Sequence, residues 1–210
     1  MYKEICFQTA EVFKKDDSLS HWIINLALIR NDLLYANEFA FNHFEREVEV
    51  ENGRFINYLK IALSHYIAAM KFFAKYQNEP EIIGFIESLD TQTKEKYAGI
   101  LSNVSPYESS FVKNQCEPLV GATMHYADNQ EDINKYLASY QDGTIVIRGK
   151  KIRFVDFEFA DDCANYLSFT HIHSGETEDF CQEIGNKFLE LMSFVEEVVP
   201  FYLSQKTAVL

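Results

Sequence analysis

Between residues 16 and 77 the apolar positions return every three or four residues, which is the period of an α-helix with one buried face. Asp16, Asp17 and Ser18 offer side-chain oxygens to cap the start of such a helix. From Leu19 to about Glu47 the stripe runs through Ile23, Leu26, Ala27, Leu33, Leu34, Phe41 and Phe44, with Arg30 and Asn37 interrupting it. Asn52-Gly53 marks a turn. A second helix is expected from Arg54 to about Gln77, carried by Phe55, Leu59, Ala62, Tyr66, Ala69, Met70 and Phe73. Two amphipathic helices joined by a tight turn pack as an antiparallel hairpin, so 18–77 is the expected core hairpin.

Beyond Pro80 the pattern shortens. Glu81–Leu89 and Thr91–Leu101 read as short helices, and Ser102–Pro106 as a loop. Ser109–Tyr126 reads as helix that Pro118 and Gly121 must break or bend. In Asn129–Tyr140 the residues Ile133, Tyr136, Leu137 and Tyr140 share one face. Thr144-Ile145-Val146-Ile147 and Lys151-Ile152-Arg153-Phe154-Val155 change to a β-rich texture around Arg148-Gly149-Lys150, a hairpin signal over 144–155. A two-stranded hairpin needs a larger body to lie against. Phe159–Thr170 is compatible with a return to helix, and Thr170–Thr177 is polar and loop-like. Glu178–Leu203 closes the chain as a long helix with Phe180, Ile184, Phe188, Leu191, Met192, Val195 and Val199 on one side. The expected architecture is all-α: a single domain over 1–210, an antiparallel helical bundle with a long N-terminal hairpin, a long C-terminal helix (178–203) and a small β-hairpin.

Composition sharpens this picture. Of 210 residues, 47% are hydrophobic and 24% charged, with only 8 Gly and 4 Pro, which excludes disordered and collagen-like classes. The formal charge of −13 opposes any general coating of nucleic acid or anionic membrane, and no run approaches the ~18 apolar residues of a membrane span. Cys6, Cys116, Cys163 and Cys181 lie far apart without a CxxC grouping, so buried thiols of a cytoplasmic protein are the expectation. The N-terminus, Met1-Tyr2-Lys3-Glu4-Ile5-Cys6, lacks the basic-then-apolar order of a signal peptide.

Three constellations could carry chemistry. Arg30, Asn31 and Asp32 sit mid-helix, where Asn and Asp are poor formers. In an antiparallel hairpin whose paired positions sum to roughly 100, His65 lies about one turn from Asp32–Asn37. A carboxylate beside an imidazole can orient it for acid–base work, and a polar contact fixing helix register is the simpler reading. His125, between Met124 and Tyr126 and preceded by Lys113-Asn114, could be a general acid, a nucleic-acid contact or a helix-end cap. His171 and His173, with Glu176, Glu178 and Asp179 nearby, have strand spacing for a shared metal, but HxH alone reads as solvated histidines. No phosphate-binding glycine loop, HExxH or GxSxG is present, so no cofactor and no metal is expected. The alternating Glu45, Glu47, Glu49 and Glu51 read as a solvated helix end, and Arg148, Lys150, Lys151 and Arg153 as edge-strand protection.

Taken together, Trp22–Asn37 (WIINLALIRNDLLYAN), Tyr58–Phe73 (YLKIALSHYIAAMKFF) and Lys113-Asn114 leading to Met124-His125-Tyr126 resemble the HEPN-like proteins, helical domains of prokaryotic toxin, abortive-infection and defence systems. Phe159–Asn165 resembles a later helix of the same proteins. The resemblance implies an RxxxxH ribonuclease site, usually built from two protomers, in which Arg and His flank the scissile phosphate. Here the expected arginine is missing: residues 119–121 are Leu, Val and Gly, and Lys113 stands 12 residues before His125. The implication is a degenerate member that binds or scaffolds without cutting. The alternatives are a metal-independent ribonuclease using His125, with His65 and Asp32, or a metal-binding bundle. Arg30, Asn31, Asn114 and Tyr126 are the expected binding residues. Thirty Phe and Tyr, 18 and 12, exceed what a bundle of this size must bury, so a homo-oligomer is expected, with a partner protein or RNA in addition and no membrane.

Overall fold

The long hydrophobic stripe folds into helix α2, Ser18–Phe44, and the next into α3, Asn52–Tyr76. The computed structural model describes residues 6–44, 52–124, 130–139, 146–148, 154–156, 163, 166 and 177–206, with side chains for 6–36, 59–121, 133–138, 163, 166 and 182–206. A single turn, α1 (Thr9–Val12), precedes α2. Then come α4 (Pro80–Glu87), α5 (Thr91–Ser102), a 3₁₀ turn at Tyr107–Ser109, a π-helical turn at Val112–Cys116, α6 (Glu117–Met124), α7 (Gln130–Ser139) and, last, α8 (Thr177–Lys206). The fold is mostly helical. Strands β1 (Val146–Arg148) and β2 (Phe154–Asp156) pair antiparallel, with Ile147 opposite Val155.

Three helices start where the chemistry of their ends allows. Asp17 accepts from the backbone N–H and the hydroxyl of Ser20 at the head of α2. Asp90 accepts from Thr93 N at 3.0 Å and caps α5, while Pro80 takes the first position of α4, where no N–H is required.

Trp22 is the hub of the core. Its ring, 1% exposed, meets Phe73 of α3, Phe85 of α4, Tyr97 of α5 and Phe194 of α8 edge-on, with centroids 6.2–6.4 Å apart. Edge-to-face packing sets the positive rim of one ring against the negative face of another. Around this hub, Ile23, Leu26 and Leu33 of α2, Leu63, Tyr66 and Met70 of α3, and Leu191, Val195 and Val198 of α8 are buried.

Specific pairs show the helix directions. Trp22 against Phe73 and Asp32 against His65 run α2 and α3 antiparallel. Thr93 with Glu197, Lys96 with Ser193, and Asn103 with Lys187 run α5 antiparallel to α8.

Several expectations change. Neither Pro118 nor Gly121 breaks α6, which runs through both. Ahead of them lies the π turn, where Glu117 N donates to Val112 O. Returning from that wider spacing to α bonding leaves a place in the ladder where a proline, having no N–H, fits. Leu137 is 61% exposed and does not share the buried position of Tyr136. The C-terminal helix continues three residues past Leu203 to Lys206, with Pro200 inside it. Cys116 is buried, whereas Cys6 is exposed and Cys163 half-buried. Cys163 and Tyr166 are helical, and the rest of the Phe159–Thr170 segment lies outside the described residues. So do Glu45, Glu47, Glu49 and Glu51, and Lys150, Lys151 and Arg153; Arg148 is described in its backbone alone. Among the described residues no helix is long and apolar enough to cross a membrane.

Candidate functional site

The antiparallel register of α2 and α3 brings Asp32 and His65 together: Asp32 Oδ2 lies 3.6 Å from His65 Nδ1. The pair sum is 97, close to the roughly 100 read from the turn. Both side chains are well exposed, at 53% and 41%, so the pair stands at the surface and not in a closed site. No third catalytic or polar group converges on it in the described contacts. Asn31 is exposed on α2, one position away.

Arg30 points elsewhere. Its Nε and Nη2 donate to Glu196 Oε1 of α8 at 3.1 and 2.8 Å, a bond that joins the two helices. Asn114 is exposed on the π turn, and Asn114 N donates to Ser110 O. His125 and Tyr126 lie outside the described residues, as do His171, His173 and Glu176; Glu178 and Asp179 are described only in their helical backbone. Among the described residues no group of three His, Cys, Asp or Glu side chains could hold a metal ion.

Two features were not read from the sequence. The first is an apolar line beside Asp32 and His65. Leu28 and Tyr35 of α2 are 54% and 63% exposed, and Ile61 of α3 is 45% exposed. Leu28, Asp32 and Tyr35 occupy one helical face (i, i+4, i+7), and so do Ile61, His65 and Ala68. Carried along the antiparallel register, Tyr35 stands level with Ile61 and Leu28 level with the exposed Ala68. The seam between the helices is therefore a polar pair flanked by apolar positions on both sides. Its signal in the sequence is the seven-residue step from Leu28 to Tyr35, repeated from Ile61 to Ala68, off the buried stripe.

The second is an ion-pair network at the π turn. Tyr107 Oη donates to Glu117 Oε1 at 2.6 Å, Lys71 Nζ approaches the same oxygen at 2.7 Å, and Lys113 Nζ stands 3.8 Å from Oε2. Burial pushes the Glu117 carboxyl up, but the hydrogen bonds from Lys71 and Tyr107 more than offset it, leaving it below the ordinary carboxylate value. The bond to Glu117 raises Lys71 and Tyr107 in return. This network fastens the π turn and α6 to α3, and it occupies Lys113.

In the core, Tyr66 Oη and Trp22 Nε1 are buried with no hydrogen-bond partner among the described residues. Burial drives the Tyr66 phenol and the Cys116 thiol far above their ordinary values, so neither ionises to act as a nucleophile near neutral pH. A cleft of about 230 Å³ between the α4–α5 junction and α8 is lined by Leu89, Asp90, Gln92, Thr93, Glu197 and Phe201. Its carboxylates are already engaged by Thr93 Oγ1 and Lys96.

No family model, curated protein or solved structure matches the chain.

Proposed function

We propose that this chain is a HEPN-like helical protein that works by association, in a defence or stress setting, and not by catalysis. The docking site in this reading is the seam of α2 and α3. The observation that carries it is the exposed line of Leu28, Tyr35 and Ile61 around Asp32 and His65. Large apolar side chains gathered on one face mark interaction surfaces, and tyrosine is favoured in them. Two cations that could hold a scissile phosphate are occupied, Arg30 by Glu196 and Lys113 by Glu117 and the Tyr107 ring. The charge of −13 favours a protein partner over RNA. In the same reading the helices form one antiparallel bundle closed by α8, the 144–155 hairpin caps one end, and the protein is cytoplasmic.

The test is the size of the complex in cell extract. Tagged wild type should elute well above monomer size, and a Leu28→Asp/Tyr35→Asp variant with unchanged far-UV dichroism should elute as a monomer. Wild type eluting as a monomer, or the variant eluting unchanged, contradicts the reading.

One observation favours the ribonuclease alternative: the contact of Asp32 with His65, a carboxylate positioned on an imidazole. Total RNA incubated with the protein in EDTA separates the two. Fragments that disappear with His125→Ala or His65→Ala would replace association with catalysis.

A further inference from the structure

We infer, on the reading that the α2/α3 seam is the association site, that it takes a helix of another protein with a defined charge pattern. That helix sets a base against Asp32, an acid against Lys75 and apolar residues against the positions beside them. The Asp32 carboxylate is 53% exposed, and His65 stands 3.6 Å from it, beyond hydrogen-bond range. Lys75 lies on the line of Ile61 and Ala68, seven residues further along α3, and is exposed. Its described contact is the ring of Tyr76, 5.0 Å from Nζ. Of the other described cations on these two helices, Lys60 is buried, Arg30 bonds Glu196 and Lys71 bonds Glu117. Asp32 and Lys75 are thus the seam's open charges, one negative and one positive.

The spacing calls for a helix. Leu28 and Tyr35 on α2, and Ile61, Ala68 and Lys75 on α3, recur at seven-residue steps, so both lines run along the helix axes and border a straight groove. An amphipathic helix fills such a groove with side chains at the same steps. From Ile61 to Lys75 the groove measures about 21 Å at 1.5 Å per residue, or about four helical turns. The antiparallel register sets Lys75 level with His21, Ala68 with Leu28, His65 with Asp32 and Ile61 with Tyr35. Read in the direction of α2, the partner therefore carries an acid at position i, apolar residues at i+7 and i+14, and a base at i+10, all on one face. The base enters between Leu28 and Tyr35, whose side chains shield its bond to Asp32 from water. The acid on Lys75 fixes direction and register. A carboxylate in the middle of the groove, on a chain of charge −13, opposes a phosphate backbone there.

The test uses the purified full chain and two synthetic helical peptides, read by fluorescence anisotropy. The matched peptide is alanine-rich with Glu at i, Leu at i+7 and i+14, and Arg at i+10. The second differs only in Glu at i+10. Wild type should bind the matched peptide more tightly by on the order of 10-fold or more. Asp32→Lys should reverse that order, because the introduced ammonium then meets Glu at i+10. Lys75→Glu should weaken the matched peptide by a similar factor. Lys94→Glu and Glu95→Lys make the same charge changes on α5 and should leave both peptides unaffected. Far-UV dichroism checks that each variant is folded.

Equal binding of the two peptides, or an order that Asp32→Lys does not reverse, would overturn the charge pattern. If Leu28→Asp/Tyr35→Asp abolishes that equal binding, the seam stands without it. Failure of both peptides to bind would also overturn the inference, and the size of the complex in extract then judges the seam alone. A chain that dimerises on its own in sedimentation equilibrium, with the dimer lost in Leu28→Asp/Tyr35→Asp, would put a second copy in the groove and overturn the partner helix.

Discussion

Asp32 and His65 come within 3.6 Å of each other from two different helices, and both remain open to solvent. Exposed carboxylate–imidazole contacts, ionic only where the imidazole carries a proton, add 0 to about 1 kcal/mol to stability, because water and salt screen them and side-chain freedom is lost in forming them. His65→Ala and Asp32→Asn should therefore shift the unfolding free energy by less than about 1 kcal/mol in urea titrations. A larger loss would mean that the pair holds the fold and is not a surface feature.

Asp17 does more for the fold than Asp32. It caps α2, and the buried Ser20 hydroxyl that donates to it also lies 3.0 Å from Tyr202 Oη of α8. Tyr202 Oη in turn donates to Val12 O. Asp17→Ala should cost about 1 kcal/mol. The hydrogen bond from the Ser20 hydroxyl, with that from the Ser20 N–H, holds the Asp17 carboxyl below its ordinary value. A depressed folded value means the stabilisation is complete above the unfolded carboxylate range, about 3.9, and fades as pH falls through the folded value. The difference between wild type and Asp17→Ala should thus shrink in acid. A difference independent of pH would contradict the cap.

Trp22 and Tyr66 make opposite predictions, although each has a buried polar atom with no partner among the described residues. Trp22 Nε1 belongs to a ring surrounded by four aromatic neighbours, and its removal empties the centre of the core. Trp22→Ala should cost about 3–5 kcal/mol or abolish folding. For Tyr66 the desolvated hydroxyl is a cost with no return, while its ring packs 5.1 Å from Phe188. Tyr66→Phe should be neutral or stabilising by up to about 1–3 kcal/mol in thermal unfolding. A clear destabilisation would show that the hydroxyl has a partner.

Gly84 of α4 and Gly185 of α8 are helical, and a methyl group added at either would meet nothing within 4 Å. Alanine should raise stability by about 0.5–1 kcal/mol at each site, since glycine loses more backbone freedom in a helix. Lower melting temperatures in both variants would contradict the packing described there.

The elements were legible where one buried face dominates. The stripe through Ile23, Leu26 and Leu33 located α2, and that through Ala62, Tyr66, Met70 and Phe73 located α3. The turn between them was enough to place Asp32 near His65. The stripe left out Trp22, although it shares the face of Leu26 and Leu33 (i, i+4, i+11); that its ring meets four helices is set by tertiary packing, which periodicity does not carry. The π turn escaped too: the Tyr107 and Lys71 contacts with Glu117 that fasten it are not a local propensity. The exposure of Leu28 and Tyr35 was hidden for a related reason. Periodicity sets both residues off the buried stripe, but how open they stay depends on which sides of α2 the helices α3, α4 and α8 cover. The arginine-poor spacing before His125 was plain from the sequence, but His125 lies outside the described residues.

The most direct test of the seam is photo-crosslinking in living cells from a reactive residue at Leu28, compared with one at Glu95 on the exposed side of α5. The account predicts a covalent adduct of defined mass from position 28, lost when Asp32→Lys is added, and none from position 95. Adducts of equal yield from both positions, or none from either, would contradict it.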